Sequence, residues 1–138
     1  MKRTILISLA VVAAGIFIMM KLGQNKLSYE LISPDETQKK VGTDPNVILL
    51  DVRTPGEFNG ESGHLANSLL IPVQELERRV DELSQYKDKT IIAYCRTGNR
   101  SGTAAAILTR KGFKAMNMEG GIVKWNELKL PVVHEKTQ

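Results

Sequence analysis

From Leu27 onward, apolar residues fall into short blocks separated by polar stretches that carry glycine and proline. Asn46-Val47-Ile48-Leu49-Leu50 and Thr90-Ile91-Ile92-Ala93-Tyr94 hold continuous apolar runs, the pattern of strands buried on both faces. Leu69-Leu70-Ile71 is a shorter run closed by Pro72, and Lys114 to Met118 predicts a last strand on which Met116 and Met118 alternate as core filler. Between these runs the period changes to that of a helix. Val73, Leu76, Val80 and Leu83 recur at helical spacing between Pro72 and Tyr86, with glutamates and arginines on the solvated face. Ser33-Pro34-Asp35-Glu36 combines an N-cap, a proline at the first helical position and the acid of a capping box, so a short helix follows it. The alanine-rich stretch from Ser101 to Lys111 predicts a helix stopped by Gly112. Gly120-Gly121 begins a short helix in which Trp125 packs into the core, and Leu130-Pro131 ends the ordered region. Strands alternating with helices predict an α/β domain with a mainly parallel sheet.

The first residues follow another pattern. Lys2 and Arg3 precede an uncharged stretch from Thr4 to Met20, and polarity returns with Lys21, Gln24, Asn25 and Lys26. A helix over residues 4–22 is about 28 Å long at 1.5 Å per residue, which matches the ~30 Å hydrocarbon thickness of a bilayer. Ala13-Ala14-Gly15 is followed by five more apolar residues, not by a polar mature start, so an uncleaved anchor is favoured over a signal peptide removed after export. The paired charges ahead of the span place the N-terminus in the cytoplasm and the rest of the chain in a periplasm or equivalent space. This divides the chain into an anchor with its flanks (1–26), a folded domain (27–133) and a basic flexible tail (134–138).

Composition narrows the chemistry. A chain of 138 residues with a net charge of +4 suits one domain with a mild preference for anions. No basic run or aromatic-basic interleaving points to nucleic acid. One cysteine excludes an internal disulfide, and two distant histidines, His64 and His134, show no metal-ligand spacing. No cofactor is expected.

That single cysteine, Cys95, stands where the Thr90–Tyr94 run breaks into Arg96-Thr97-Gly98-Asn99-Arg100-Ser101 and then a helix. An unpaired cysteine is commonly a small buried hydrophobe. Here, however, two arginines, a glycine and an asparagine follow within five residues. A strand ending in a turn that feeds a helix aims backbone N–H groups and the positive helix end at one point. A thiol at that point ionises readily, and the thiolate is its reactive form.

Asp51-Val52-Arg53-Thr54-Pro55-Gly56-Glu57-Phe58, Gly63-His64-Leu65, Ile71-Pro72, Cys95 to Ser101, and Glu119-Gly120-Gly121 with Trp125 together resemble, in order and spacing, the rhodanese domain family. The resemblance covers nearly everything after the anchor. It implies a rhodanese-like α/β fold, a five-stranded parallel sheet flanked by helices, here preceded by one N-terminal hydrophobic helix. It also implies sulfurtransferase chemistry through a cysteine persulfide. Cys95 matches the sulfur-accepting cysteine, and Arg96, Thr97, Gly98, Asn99 and Arg100 match the loop that binds the substrate. Asp51 and Arg53 match an acid and a base that brace the site, with Ser101 in support. His64 lies in a turn with a structural role, and Asn67-Ser68 replaces the family's usual Gly-Ala, a change asparagine tolerates.

The implied partners are a small anionic sulfur donor such as thiosulfate and an external acceptor, cyanide or a thiol. Loop N–H groups with Arg96 or Arg100 would offset the repulsion between thiolate and donor and stabilise the departing sulfite. Two other classes stand beside this one. Cysteine phosphatases and the related arsenate reductases place an arginine six residues after the cysteine; here Arg100 comes one residue earlier and Ser101 occupies that position. A non-catalytic rhodanese module that binds a partner or stores sulfur is the other alternative.

Overall fold

The computed structural model of the chain describes residues 11–16 and 28–134. Eleven elements follow one another from residue 30: β1 (Glu30–Ile32), α1 (Pro34–Thr43), β2 (Val47–Asp51), α2 (Pro55–Phe58), β3 (Leu69–Leu70), α3 (Val73–Arg79), a 3-10 turn (Val80–Tyr86), β4 (Thr90–Tyr94), α4 (Asn99–Arg110), β5 (Lys114–Met118) and α5 (Gly121–Glu127). All strand pairs are parallel, in the order β1-β5-β4-β2-β3. The centre of the sheet is β4, matched to β2 from Val47↔Thr90 to Asp51↔Tyr94 and to β5 from Thr90↔Lys114 to Ala93↔Asn117.

Both faces of that central strand are covered, which is why its sequence is apolar throughout. Ile91 and Ala93, with Cys95 beyond them, join Leu50, Leu76, Leu83, Ala104, Ala105 and Leu108 under α3 and α4. Ile92 and Tyr94 point the other way, to Ile32, Leu49, Leu65, Met118, Ile122 and Trp125. Trp125 is a buried packing residue as expected, its Nε1–H donating to the Pro131 carbonyl at 3.0 Å. Met118 is buried and Met116 half-buried.

Two capping boxes punctuate the chain. Ser33 accepts from the Glu36 N–H while Glu36 reaches back to the Ser33 N–H, starting α1 as its sequence predicts. Thr54 and Glu57 repeat the arrangement at α2, a one-turn helix that hydrophobic periodicity does not reveal. The amphipathic stretch after Pro72 begins as an α-helix and tightens at Val80 into the 3-10 turn. Order also continues past Leu130-Pro131, because Val133 pairs antiparallel with His64 through N–H···O contacts of 2.9 and 2.7 Å. That pairing satisfies backbone groups that would otherwise compete for water.

Of the 4–22 segment expected to span a membrane, only residues 11–16 are described; they are helical and exposed. The remainder of that segment, and residues 135–138 of the expected tail, lie outside the described residues. Among the described residues no helix is long and apolar enough to cross a membrane.

Candidate active site

Parallel strands open a crevice at their carboxyl ends, and Cys95 leaves β4 there. The turn Arg96–Gly98 reverses the chain, and Gly98 (φ 105°) takes the left-handed conformation that lets α4 begin at Asn99. The start of α5 locks this turn from outside, with Ile122 N–H on the Cys95 carbonyl (2.9 Å) and Val123 N–H on that of Arg96 (3.1 Å). Gly121 (φ 57°) makes this approach possible, since a Cβ there would collide with the Arg96 and Cys95 carbonyl oxygens. Gly121→Ala is therefore expected to cost about 2 kcal/mol or more, from the left-handed backbone and the overlap together. A urea midpoint would measure the loss, and one left unchanged would mean that the turn yields without strain.

Cys95 is only 1% exposed and sits against the apolar cluster under α4. Its sulfur nevertheless faces donors. The Gly98 N–H lies 3.1 Å from Sγ and the Ser101 hydroxyl 3.3 Å. Burial pushes the Cys95 thiol up, but the Ser101 hydroxyl and the N–H groups of Ser101, Gly98 and Thr97 outweigh it and hold the thiol below its ordinary value. The arrangement thus favours an anionic sulfur inside a ring of fixed dipoles.

Ser101 is itself held by Asn117 on β5, whose Oδ1 is 2.6 Å from the Ser101 Oγ and whose Nδ2 donates to the Gly98 carbonyl at 3.1 Å. The sequence offers one cue to Asn117, a lone amide among the apolar positions of a buried strand.

The arginines divide their tasks unequally. Arg100 was expected beside the substrate, but both of its Nη groups are bound by Glu57 (2.8 and 2.7 Å), so its charge is largely matched by a carboxylate. Arg96 is exposed and makes no ion pair among the described residues, which leaves it as the unmatched guanidinium of the loop. Thr97 and Asn99 are exposed as well. Glu57 was missed in the sequence, although Thr54-x-x-Glu57 has the same spacing as Ser33-x-x-Glu36.

Arg100 holds the Glu57 carboxyl down at about 2, helped by the Thr54 N–H and hydroxyl. A depressed carboxylate adds stability that is complete above its unfolded value near 4.5 and disappears as pH falls toward 2. Urea midpoints followed over that window should fall more steeply for the wild type than for Glu57→Gln, which keeps the capping box but not the charge. Parallel curves would show that the pair contributes nothing to folding.

Asp51 and Arg53, expected to brace the site, pair with each other and reach a neighbouring turn, with no hydrogen bond to the sulfur among the described residues. Arg53 grips Asp51 with Nε (3.0 Å) and Nη2 (2.7 Å), and Nη2 also donates to the Gly63 carbonyl (2.8 Å). Both residues are buried; burial pulls the Arg53 guanidinium down, but the hydrogen bonds and charge of Asp51 outweigh it and hold it above its ordinary value. In that turn the His64 ring stacks on Phe58 with centroids 3.6 Å apart, and its Nδ1 meets the Phe58 carbonyl at 3.0 Å, consistent with a structural role. Asn67 takes the left-handed conformation (φ 60°), so the turn survives without glycine. Among the described residues no cluster of side chains could hold a metal ion.

Known proteins share both the pattern and the shape. A profile of the rhodanese-like domain matches residues 33–128. A sulfurtransferase of Allochromatium vinosum is 32% identical over 103 residues, covering 74% of this chain and 92% of that protein. A tRNA uridine(34) hydroxylase of Cronobacter sakazakii is 37% identical over 87 residues, but the match covers 59% of this chain and only 24% of that enzyme. The crystal structure of a rhodanese-related protein from Thermoplasma volcanium superposes with a TM-score of 0.70 at 34% identity, over 78% of this chain and all of that one. On sequence pattern, sheet order and loop geometry together, the chain belongs to the rhodanese-like domain family.

Proposed function

We propose that the protein is a sulfurtransferase that carries sulfane sulfur as a persulfide on Cys95. The observation that carries this reading is the sulfur of the sole cysteine held against the Gly98 N–H and the Ser101 hydroxyl, where an anionic sulfur is favoured. The thiolate attacks the outer sulfur of thiosulfate and forms an S–S bond. The donor's own S–S bond breaks, and its electron pair leaves on sulfite. Thiolate and thiosulfate dianion thus become perthiolate and sulfite dianion, with three negative charges on each side. Arg96 meets the incoming anion, while the N–H groups of the loop receive the charge on the outer sulfur. Cyanide or a thiol then removes that sulfur and restores the thiolate, since the chain has no second cysteine to do so.

Several features favour sulfur over phosphate. Arg100 follows Cys95 by five positions, the side chain at the sixth is Ser101, and Arg100 is bound to Glu57 instead of free to grip an oxyanion. Intact mass after exposure to thiosulfate is the direct test. The wild type should gain one sulfur atom, lose it on addition of cyanide, and leave aryl phosphate unhydrolysed. Hydrolysis of the ester would replace this reading with a phosphatase, and neither reaction would leave a binding module.

Residues 4–22 are proposed to anchor the chain with the domain on the periplasmic side, on the strength of the Lys2-Arg3 pair and the uncharged stretch after it. Release of the full chain from membranes by carbonate would sink the anchor.

A further inference from the structure

We propose that Asn117 is a positioning residue that decides where the Ser101 hydroxyl proton points, and so sets how readily the Cys95 sulfur carries charge. Ser101 is fully buried between two acceptors, Asn117 Oδ1 at 2.6 Å and Cys95 Sγ at 3.3 Å. A serine hydroxyl has one hydrogen and can serve only one of them at a time. Asn117 is itself buried, 6% exposed, and its amide orientation is set by its second contact. Its Nδ2 donates to the Gly98 carbonyl at 3.1 Å, and the reversed amide would set two carbonyl oxygens against each other. Oδ1 must therefore face Ser101 and accept.

Two hydrogen-bond patterns follow. With Cys95 protonated, the thiol donates to the Ser101 oxygen, Ser101 donates to Asn117, and Asn117 donates to Gly98, so every group is satisfied. With Cys95 ionised, the hydroxyl turns to the sulfur and leaves a buried carbonyl oxygen unpaired, which is unfavourable. Asn117 thus competes with the thiolate for the proton of Ser101. On the sulfur-transfer reading the competition has a use. Once charge has moved to the outer sulfur of the persulfide, Sγ no longer needs the hydroxyl, and Ser101 returns to Asn117. The amide therefore favours the loaded state over the empty one.

Charged groups around the sulfur are Arg96 on its loop, the Arg100–Glu57 pair from α4 and α2, and the Asp51–Arg53 pair at the end of β2. Tyr29 and Glu119 line the cleft on the Asn117 side. None of these makes a hydrogen bond to Ser101 or Asn117 among the described residues.

The test is the pH dependence of iodoacetamide alkylation, which in a chain with one cysteine reads Cys95 alone. Asn117→Leu frees the hydroxyl for the sulfur and should lower the midpoint by about one unit. Ser101→Ala should raise it, and adding Asn117→Leu to Ser101→Ala should change nothing more. A midpoint that stays or rises in Asn117→Leu, or a fall that persists without the hydroxyl, overturns the proposal. If Asn117→Leu does not fold, Asn117→Asp decides: a stronger acceptor should raise the midpoint, and at least half of that rise should vanish in the Ser101→Ala background. A smaller reduction overturns the proposal as well. Alkylation needs no sulfur donor, so its failure is distinct from failure of the persulfide to form.

Discussion

Cys95→Ser is expected to abolish sulfur transfer, lowering turnover with thiosulfate and cyanide at least about a thousandfold and removing the one-sulfur gain in mass. The loss has two causes. Oxygen forms no stable counterpart of the perthiolate, and a serine hydroxyl is far harder to ionise than a thiol that, despite burial, Ser101 and the loop N–H groups hold below its ordinary value. Folding should survive, since serine is smaller than cysteine and can bond to the same Gly98 N–H and Ser101 hydroxyl. A urea midpoint within about 1 kcal/mol of wild type, alongside lost activity, separates chemistry from collapse. Transfer that continued in Cys95→Ser would assign the reaction to some other group.

Asp51→Ala carries the largest expected cost in stability, about 3–5 kcal/mol by urea unfolding. Arg53 is 1% exposed and Asp51 fully enclosed, so removing the carboxylate strands a guanidinium whose one other acceptor among the described residues is the Gly63 carbonyl. Arginine does not escape by losing its proton. The turn from Gly63 to Leu65 should loosen with it, because Arg53 is one of the ties that hold the Gly63 backbone. Replacing both members of the pair by leucine should cost much less than the single change, since no charge is then left without its partner. Equal losses in the single and double variants would show that the pair itself, and not the stranded charge, carries the stability.

The parts of the fold that could be read beforehand are those whose cause is local. Two continuous apolar runs announced β2 and β4, and Ser33-Pro34-Asp35-Glu36 announced α1, because burial on two faces and N-terminal capping each leave their mark within a few residues. Glu30–Ile32 left no such mark. It is a three-residue edge strand held by pairing with Met116–Met118, which lies more than eighty positions away. The site divides in the same way. Cys95 and its loop were visible as a strand ending in a polar turn, whereas the seizure of Arg100 by Glu57 joins residues 43 positions apart. The loop therefore shows the charge of Arg100 but not the carboxylate that pairs with it. Burial of the cysteine was also hidden, since a polar loop suggests exposure while the strand before it aims the sulfur under α4.

The position of the sulfur is decided by parity. Odd-numbered residues 91, 93 and 95 look to one side of the sheet and even-numbered 92 and 94 to the other. Deleting or inserting a single residue within β4 would therefore send Cys95 to the tryptophan side and bring a neighbour to the place facing Ser101. Such an indel would leave the composition of the strand almost untouched and still silence the protein, whereas a two-residue change would return the thiol to its own side at a different height.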